Sequence, residues 1–220
     1  MLARGEGGGQ VSGMFWQLIL ALLLVAFVTG LYWWLLRRSA GQIRRQYDGL
    51  AERYGLELTA PDAAMGGFVR PEPFVHGRYR GREISISAPG KGLQNTRQTE
   101  TVLKVAMSGG GLRVQIAGSG LLGRMGQRDS GEKKRWLSGD AAFDGALDVR
   151  TNDGVRLAML LAPEVRQALL GLLEGSGASL YAASGGLALA RPGLLADEAG
   201  RAFFEEAVEV LCNLAELLEG

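Results

Sequence analysis

From Met14 to Leu36 the chain carries no charged residue, and most positions between Phe15 and Leu36 are Leu, Ile, Val or Phe. As a helix rising about 1.5 Å per residue, this run reaches roughly 35 Å, enough to cross a hydrocarbon core of about 30 Å with some tilt. Aromatic rings stand near both ends, Trp16 at one and Tyr32, Trp33 and Trp34 at the other. Amphipathic rings concentrate at the two membrane–water interfaces. The pattern therefore predicts a transmembrane helix over 14–36. A cleaved signal peptide fits less well, because the apolar run is long and no small-x-small site precedes Tyr32.

After the span the period changes. Ile43, Tyr47, Leu50 and Tyr54 recur on one helical face, which predicts a helix over 41–54 ending at Gly55, with Leu56 as the hydrophobic partner of the cap. Residues 60–73, with three prolines, read as a loop. Alternation in "FVHGRYRGREISIS" (74–87) predicts a hairpin turning near Arg80-Gly81. "TETVLKVAM" (99–107) and "LRVQI" (112–116) read as a second hairpin. "ALDVRT" and "VRLAMLL" read as a third, around Asn152-Asp153-Gly154. A helix opens at Pro163-Glu164, the hairpin "SLYAASGGLALA" follows, and Asp197 caps a last amphipathic helix. Hairpins followed by helices predict an α+β fold, an antiparallel sheet with helices on one face. The expected organisation is a tail over 1–13, a transmembrane helix over 14–36, a juxtamembrane helical segment over 37–60 and a soluble α+β domain over 61–220.

Charge orients the span. Arg4 and Glu6 precede it, whereas Arg37, Arg38, Arg44 and Arg45 follow it. Basic flanks stay on the cytoplasmic side, so the soluble domain is expected in the cytoplasm, tied to the inner membrane by a single pass. The single cysteine permits no intrachain disulfide. Net charge is +1, which gives no general signal for a polyanion, and no nucleic-acid partner is expected. The thirty-four glycines are scattered through turns rather than in a repeat.

"FDGALDV" (143–149) followed by "LLAPEVRQALL" (160–170) resembles a recurring pattern in bacterial single-pass membrane proteins of unknown function. Phe143, Asp144, Leu147 and Val149 match its strand start, and Leu160, Leu161 and Pro163 its helix opening. The resemblance implies a cytoplasmic α+β domain and no activity.

Candidate chemistry is sparse. "GSGLLG" (118–123) has the G-x-G-x-x-G spacing, but no apolar helical period follows to meet a pyrophosphate. "APGKG" (88–92) lacks the phosphate-cradle spacing. His76 is the only histidine and reads as a strand residue; Cys212 reads as a small buried hydrophobe. Asp140, Asp144, Asp148 and Asp153 lack calcium-loop spacing, so Asp144 reads as a strand-start residue and Asp153 as a turn residue. No catalytic, cofactor or metal residue is assigned.

What remains is contact chemistry. Trp16, Tyr32, Trp33, Trp34, Arg37, Arg38, Arg44 and Arg45 are the expected membrane-interface residues. Ala26 and Gly30, four apart, would let a second helix approach closely. Arg124, Arg128, Lys133, Lys134 and Arg135 face only Asp129 and Glu132 in the same run, and Trp136 closes it. The last helix is strongly acidic, with Glu205, Glu206, Glu209, Glu216 and Glu219. Such clusters are ordinarily a solvated loop and a solvated helix face. The sharper reading puts the basic loop and Trp136 against headgroups or a partner and turns the acidic face to the cytoplasm. The leading functional expectation is a non-enzymatic accessory or scaffolding subunit of a larger membrane assembly, bioenergetic, photosynthetic or transport. The alternative is a membrane-tethered domain binding a lipid or other small molecule, and an enzyme comes third.

Overall fold

The computed structural model describes residues 8–62, 71–90, 99–109, 111–119, 133–183 and 185–219, apart from the side chains of 8–15, 36 and 37. The chain divides into two units, one ending at Gln42 and the other spanning Ile43–Gly220.

The first unit is helical. Helix α1 runs unbroken over Gly8–Tyr54, so it begins before the predicted span and continues through the predicted second helix. Among the described residues it is the one helix long and apolar enough to cross a membrane. From Leu20 to Leu35 its side chains are exposed, which leaves the apolar surface available to lipid or to another helix.

The second unit is an α+β domain. It takes the last turns of α1 and adds β1 (Glu57–Thr59), β2 (Phe74–Tyr79), β3 (Arg82–Ser87), β4 (Glu100–Ala106), β5 (Val114–Gly118) and β6 (Lys134–Trp136). Then come α2 (Ala141–Ala146), β7 (Leu147–Thr151), α3 (Gly154–Leu160), α4 (Pro163–Leu173), β8 (Ser179–Ala183), β9 (Gly186–Pro192) and α5 (Glu198–Glu219). The nine strands form one sheet in the order β1-β2-β3-β4-β9-β8-β5-β7-β6, and every pairing is antiparallel.

Local signals explain the ends of many elements. Gly55 takes a positive φ and the Leu56 N–H donates to the Ala51 carbonyl at 2.9 Å, the long bond of a Schellman cap. Positive φ at Arg80 and Gly81 makes the tight turn between β2 and β3 that the sequence predicts. Asp197 accepts from the Gly200 N–H at 2.7 Å and caps α5.

The core follows from register. Val75, Ile86, Leu103, Leu189, Leu180, Ile116, Val149 and Trp136 form one cross-strand row on a single face, running from β2 to β6. Helix α5 covers this face through Phe204, Ala207, Val208, Leu211, Cys212 and Ala215, all buried. The same core takes Ile43, Tyr47, Leu50 and Tyr54 from α1, the face that the helical period predicts.

Four expectations are corrected. Strands β4 and β5 are not a hairpin: the β8–β9 hairpin inserts between them, pairing with β5 through β8 and with β4 through β9. "VRLAMLL" is not a strand. Asp153 accepts from the Arg156 N–H at 3.0 Å and starts helix α3, whose Leu157 is buried, followed by the buried cap residue Leu161. Phe143 and Asp144 do not start a strand but lie in α2, where the Asp140 side chain caps the Ala142 and Phe143 N–H groups. Finally, helix occupies the assigned 37–60 segment only as far as Tyr54, because Gly55 ends it and Glu57–Thr59 joins the sheet.

Candidate functional site

Three surfaces carry the chemistry. On the first, the helix-free side of β2, β3, β4 and β9 forms an open groove of about 580 Å³. Strand alternation turns His76, Arg78, Glu83, Ser85 and Lys104 to this side, opposite the core row. Its floor is low because Ala106, Gly186 and Ala188 occupy the outward positions of β4 and β9. A Cβ at Gly186 would stand 2.7 Å from the Val105 carbonyl oxygen, so this strand crossing needs glycine. Two pairs bracket the groove: Arg78 lies 3.8 Å from Glu83, and His76 lies 3.7 Å from Glu57. The Arg78–Glu83 pair is exposed on both sides and holds weakly. Lys104 is exposed between Ser85 and Ala188. The face is closed toward β5 and β7, where Gln115, Ala117 and Asp148 are buried.

The second surface is the acidic helix, and it is not a free face. Arg53 donates to Glu205 at 2.6 Å, and Arg201 donates to the other Glu205 oxygen at 3.0 Å. The Tyr54 hydroxyl donates to the Glu205 carbonyl at 2.9 Å. Burial, then the nearby charge of Glu209, pushes the Tyr54 pKa up to about 12, so the hydroxyl remains a donor at neutral pH. Arg80 donates to Glu209 at 2.8 Å and to Asn213 at 2.6 Å, while Tyr79 donates to the other Glu209 oxygen. Arg82 reaches Glu219 at 2.7 Å, and the Ser108 N–H also donates to Glu219; these bonds hold that carboxyl below its ordinary range. The glutamates therefore clamp α5 to α1 and to the β2–β3 turn. The sequence hides this, since each arginine partner except Arg201 lies more than a hundred residues away.

The third surface is the edge at β6. Lys133 Nζ donates to Gln115 at 3.1 Å, Arg135 lies 3.4 Å from Asp148, and Lys134 is exposed. Trp136 packs on the core and against the start of α3, where a Cβ at Gly154 would come within 2.9 Å of the ring. Behind the strand, Asp144 accepts from the Ser138 N–H, the Ser138 hydroxyl and the Gly139 N–H. Burial works to raise the Asp144 pKa, but these donors and the charge of Arg135 outweigh it and lower the value. Arg124 and Arg128 lie outside the described residues.

On α1, Trp16, Tyr32, Trp33 and Trp34 are exposed, and the Arg38 guanidinium sits 5.3 Å from the Trp34 ring centroid. The side chain of Arg37 lies outside the described residues, and Arg44 and Arg45 are exposed. Ala26 and Gly30 are exposed, with nothing within 4 Å of a Cβ built at Gly30. Cys212 is fully buried, and burial pushes its thiol pKa up. Gly118 of "GSGLLG" ends β5 between two antiparallel neighbours, and positions 120–123 lie outside the described residues, as do positions 91–92 of "APGKG". Among the described residues, no three His, Cys, Asp or Glu side chains converge as a metal site.

No family model matches the chain, and no curated protein matches it. Among solved structures it is similar to the crystal structure of the mycobacterial trehalose monomycolate transport factor A, TtfA. The likeness has a TM-score of 0.54 at 15% identity and covers 81% of this chain and 94% of that one. The two proteins share a fold.

Proposed function

We propose that this chain is a non-enzymatic accessory or scaffolding subunit of a larger membrane protein assembly, with its α+β unit on the cytoplasmic side of the inner membrane. The observation that carries this reading is helix α1. Its first part is apolar and exposed, and its last turns are core residues of the α+β unit. The same helix therefore carries both the candidate anchor and part of the domain core. Among assembly types we favour transport, because the protein that shares the fold is named as a transport factor.

Ala26 and Gly30 are the proposed contact for a neighbouring transmembrane helix, since small residues let two backbones approach. Replacing both with Leu should leave membrane insertion intact and lower the recovery of co-purifying membrane protein on the order of tenfold. The measurement is quantitative co-purification in mild detergent, scaled to the amount of this chain. Equal recovery of every partner by the double variant would remove α1 from the interface.

The groove supports a second reading, a membrane-tethered domain that binds a lipid or other small molecule. Lys104 above a floor of Gly and Ala suits a ligand with an anionic group and a flat body. The two readings separate on extraction, where the first gives a protein partner in fixed ratio and the second a bound small molecule.

A further inference from the structure

Helix α3 is apolar on two sides. Leu157 is buried and Leu160 packs against the core. Val155, Ala158 and Met159, at i, i+3 and i+4, point the other way. Val155 is 75% exposed and Met159 74%. A soluble surface helix normally presents polar residues on its outer side. The sequence alone hides the feature, because "VRLAMLL" reads as one strand of a hairpin.

The surroundings of this face add to its chemistry. Trp136 lies against Gly154 at the start of α3, and Leu137, the next residue after β6, is 61% exposed. Lys134 is exposed and pairs in register with Thr151, three residues before α3, whereas Lys133 and Arg135, on the other face of β6, are held by Gln115 and Asp148. Exposed Leu, Val and Met side chains, one partly buried indole and an exposed lysine form the mixture that binds an anionic bilayer surface. Apolar side chains enter the acyl boundary, the indole sits at headgroup depth, and cations meet lipid phosphates. The chain also carries a candidate membrane span in the first part of α1.

We propose that the β6–α3 edge, through Leu137, Val155, Met159 and Trp136 with Lys134, docks on the anionic surface of the bilayer. The candidate span is then one of two membrane contacts.

Residues 41–220 contain Trp136 as their sole tryptophan, and 43–220 is a compact unit with its own core. Its fluorescence therefore reports docking directly. With phosphatidylglycerol-rich vesicles the emission should shift to the blue and be quenched by brominated acyl chains. Both effects should fade between 0.1 and 1 M salt as the Debye length shrinks from about 10 to about 3 Å. Purely phosphatidylcholine vesicles should give neither. Changing the lysine to Gln, in K134Q, should weaken binding about fivefold. The triple variant L137S/V155S/M159S should abolish the quenching while keeping its far-UV circular dichroism, because all three side chains are exposed. The full chain in proteoliposomes, with Trp16, Trp33 and Trp34 changed to Phe, should show the same quenching of Trp136. Wild-type quenching in the triple variant would overturn the proposal, as would absence of quenching in both fragment and full chain. Loss of a co-purifying protein in the triple variant, with no vesicle binding by the wild-type fragment, would also overturn it and make the edge a protein interface.

Discussion

Replacing Phe204 with alanine should lower the unfolding free energy of the α+β unit by about 3–5 kcal/mol. Phe204 is among the largest fully buried side chains, on the face of α5 that covers the sheet. Its removal loses the transfer free energy of the ring and leaves a cavity that the sheet cannot collapse to fill, because cross-strand register holds its rows apart. The ring also meets Phe203 edge-on at 5.4 Å between centroids. Urea unfolding of residues 41–220 measures the effect. At a slope of about 2 kcal/mol per molar, the midpoint should fall by about 2 M with the slope unchanged. A change below about 1 kcal/mol would mean that α5 does not carry the core as described.

The second large effect should come from Tyr47→Ala, again about 3–5 kcal/mol in the same assay. Tyr47 belongs to the long helix but is fully buried in the α+β core. Burial, then the nearby charge of Glu72, raises its pKa well above the ordinary tyrosine value, so the ring enters the core with a neutral hydroxyl. The variant tests a point that matters for function, namely that the helix carrying the apolar span is also a structural part of the domain. An unchanged midpoint would mean that the domain holds together without α1, and that the anchor is only a tail.

The helical face of α1 was legible in the sequence because Ile43, Tyr47, Leu50 and Tyr54 repeat on one side, and Gly55 marks its end. The β2–β3 hairpin was legible because alternation flanks Arg80-Gly81. These signals are local, set by backbone preferences within a few residues. The sheet order was not legible. "SGGG" looks like a hairpin turn, yet β4 and β5 are separated by β8 and β9, and that choice depends on residues far along the chain. The apolar run after Gly154 suits either a strand or a helix, and the Asp153 cap decides it. The arginine–glutamate clamp escaped notice because charge counting treats Glu205, Glu209 and Glu219 as one solvated face, whereas their partners Arg53, Arg80 and Arg82 come from other elements.

The candidate surfaces divide in the same way. The aromatic rings and small residues of the span are read directly from its pattern. Lys133, Lys134, Arg135 and Trp136 stood out as a basic run, but their place at a sheet edge beside the apolar face of α3 needed the fold. The groove had one faint signal, Gly186 and Ala188 at alternate positions of a strand, where β-branched residues are the usual choice.

The α+β unit is proposed to work from the cytoplasmic side of a membrane, held there by the first part of α1. Protease added to intact spheroplasts, with lysed spheroplasts as the control, tests this most directly. The basic flank of Arg37, Arg38, Arg44 and Arg45 predicts that residues 41–220 survive whole outside-in digestion and are cleaved only after lysis. Digestion of the domain in intact spheroplasts would reverse the orientation, and its release into the soluble fraction without protease would remove the anchor.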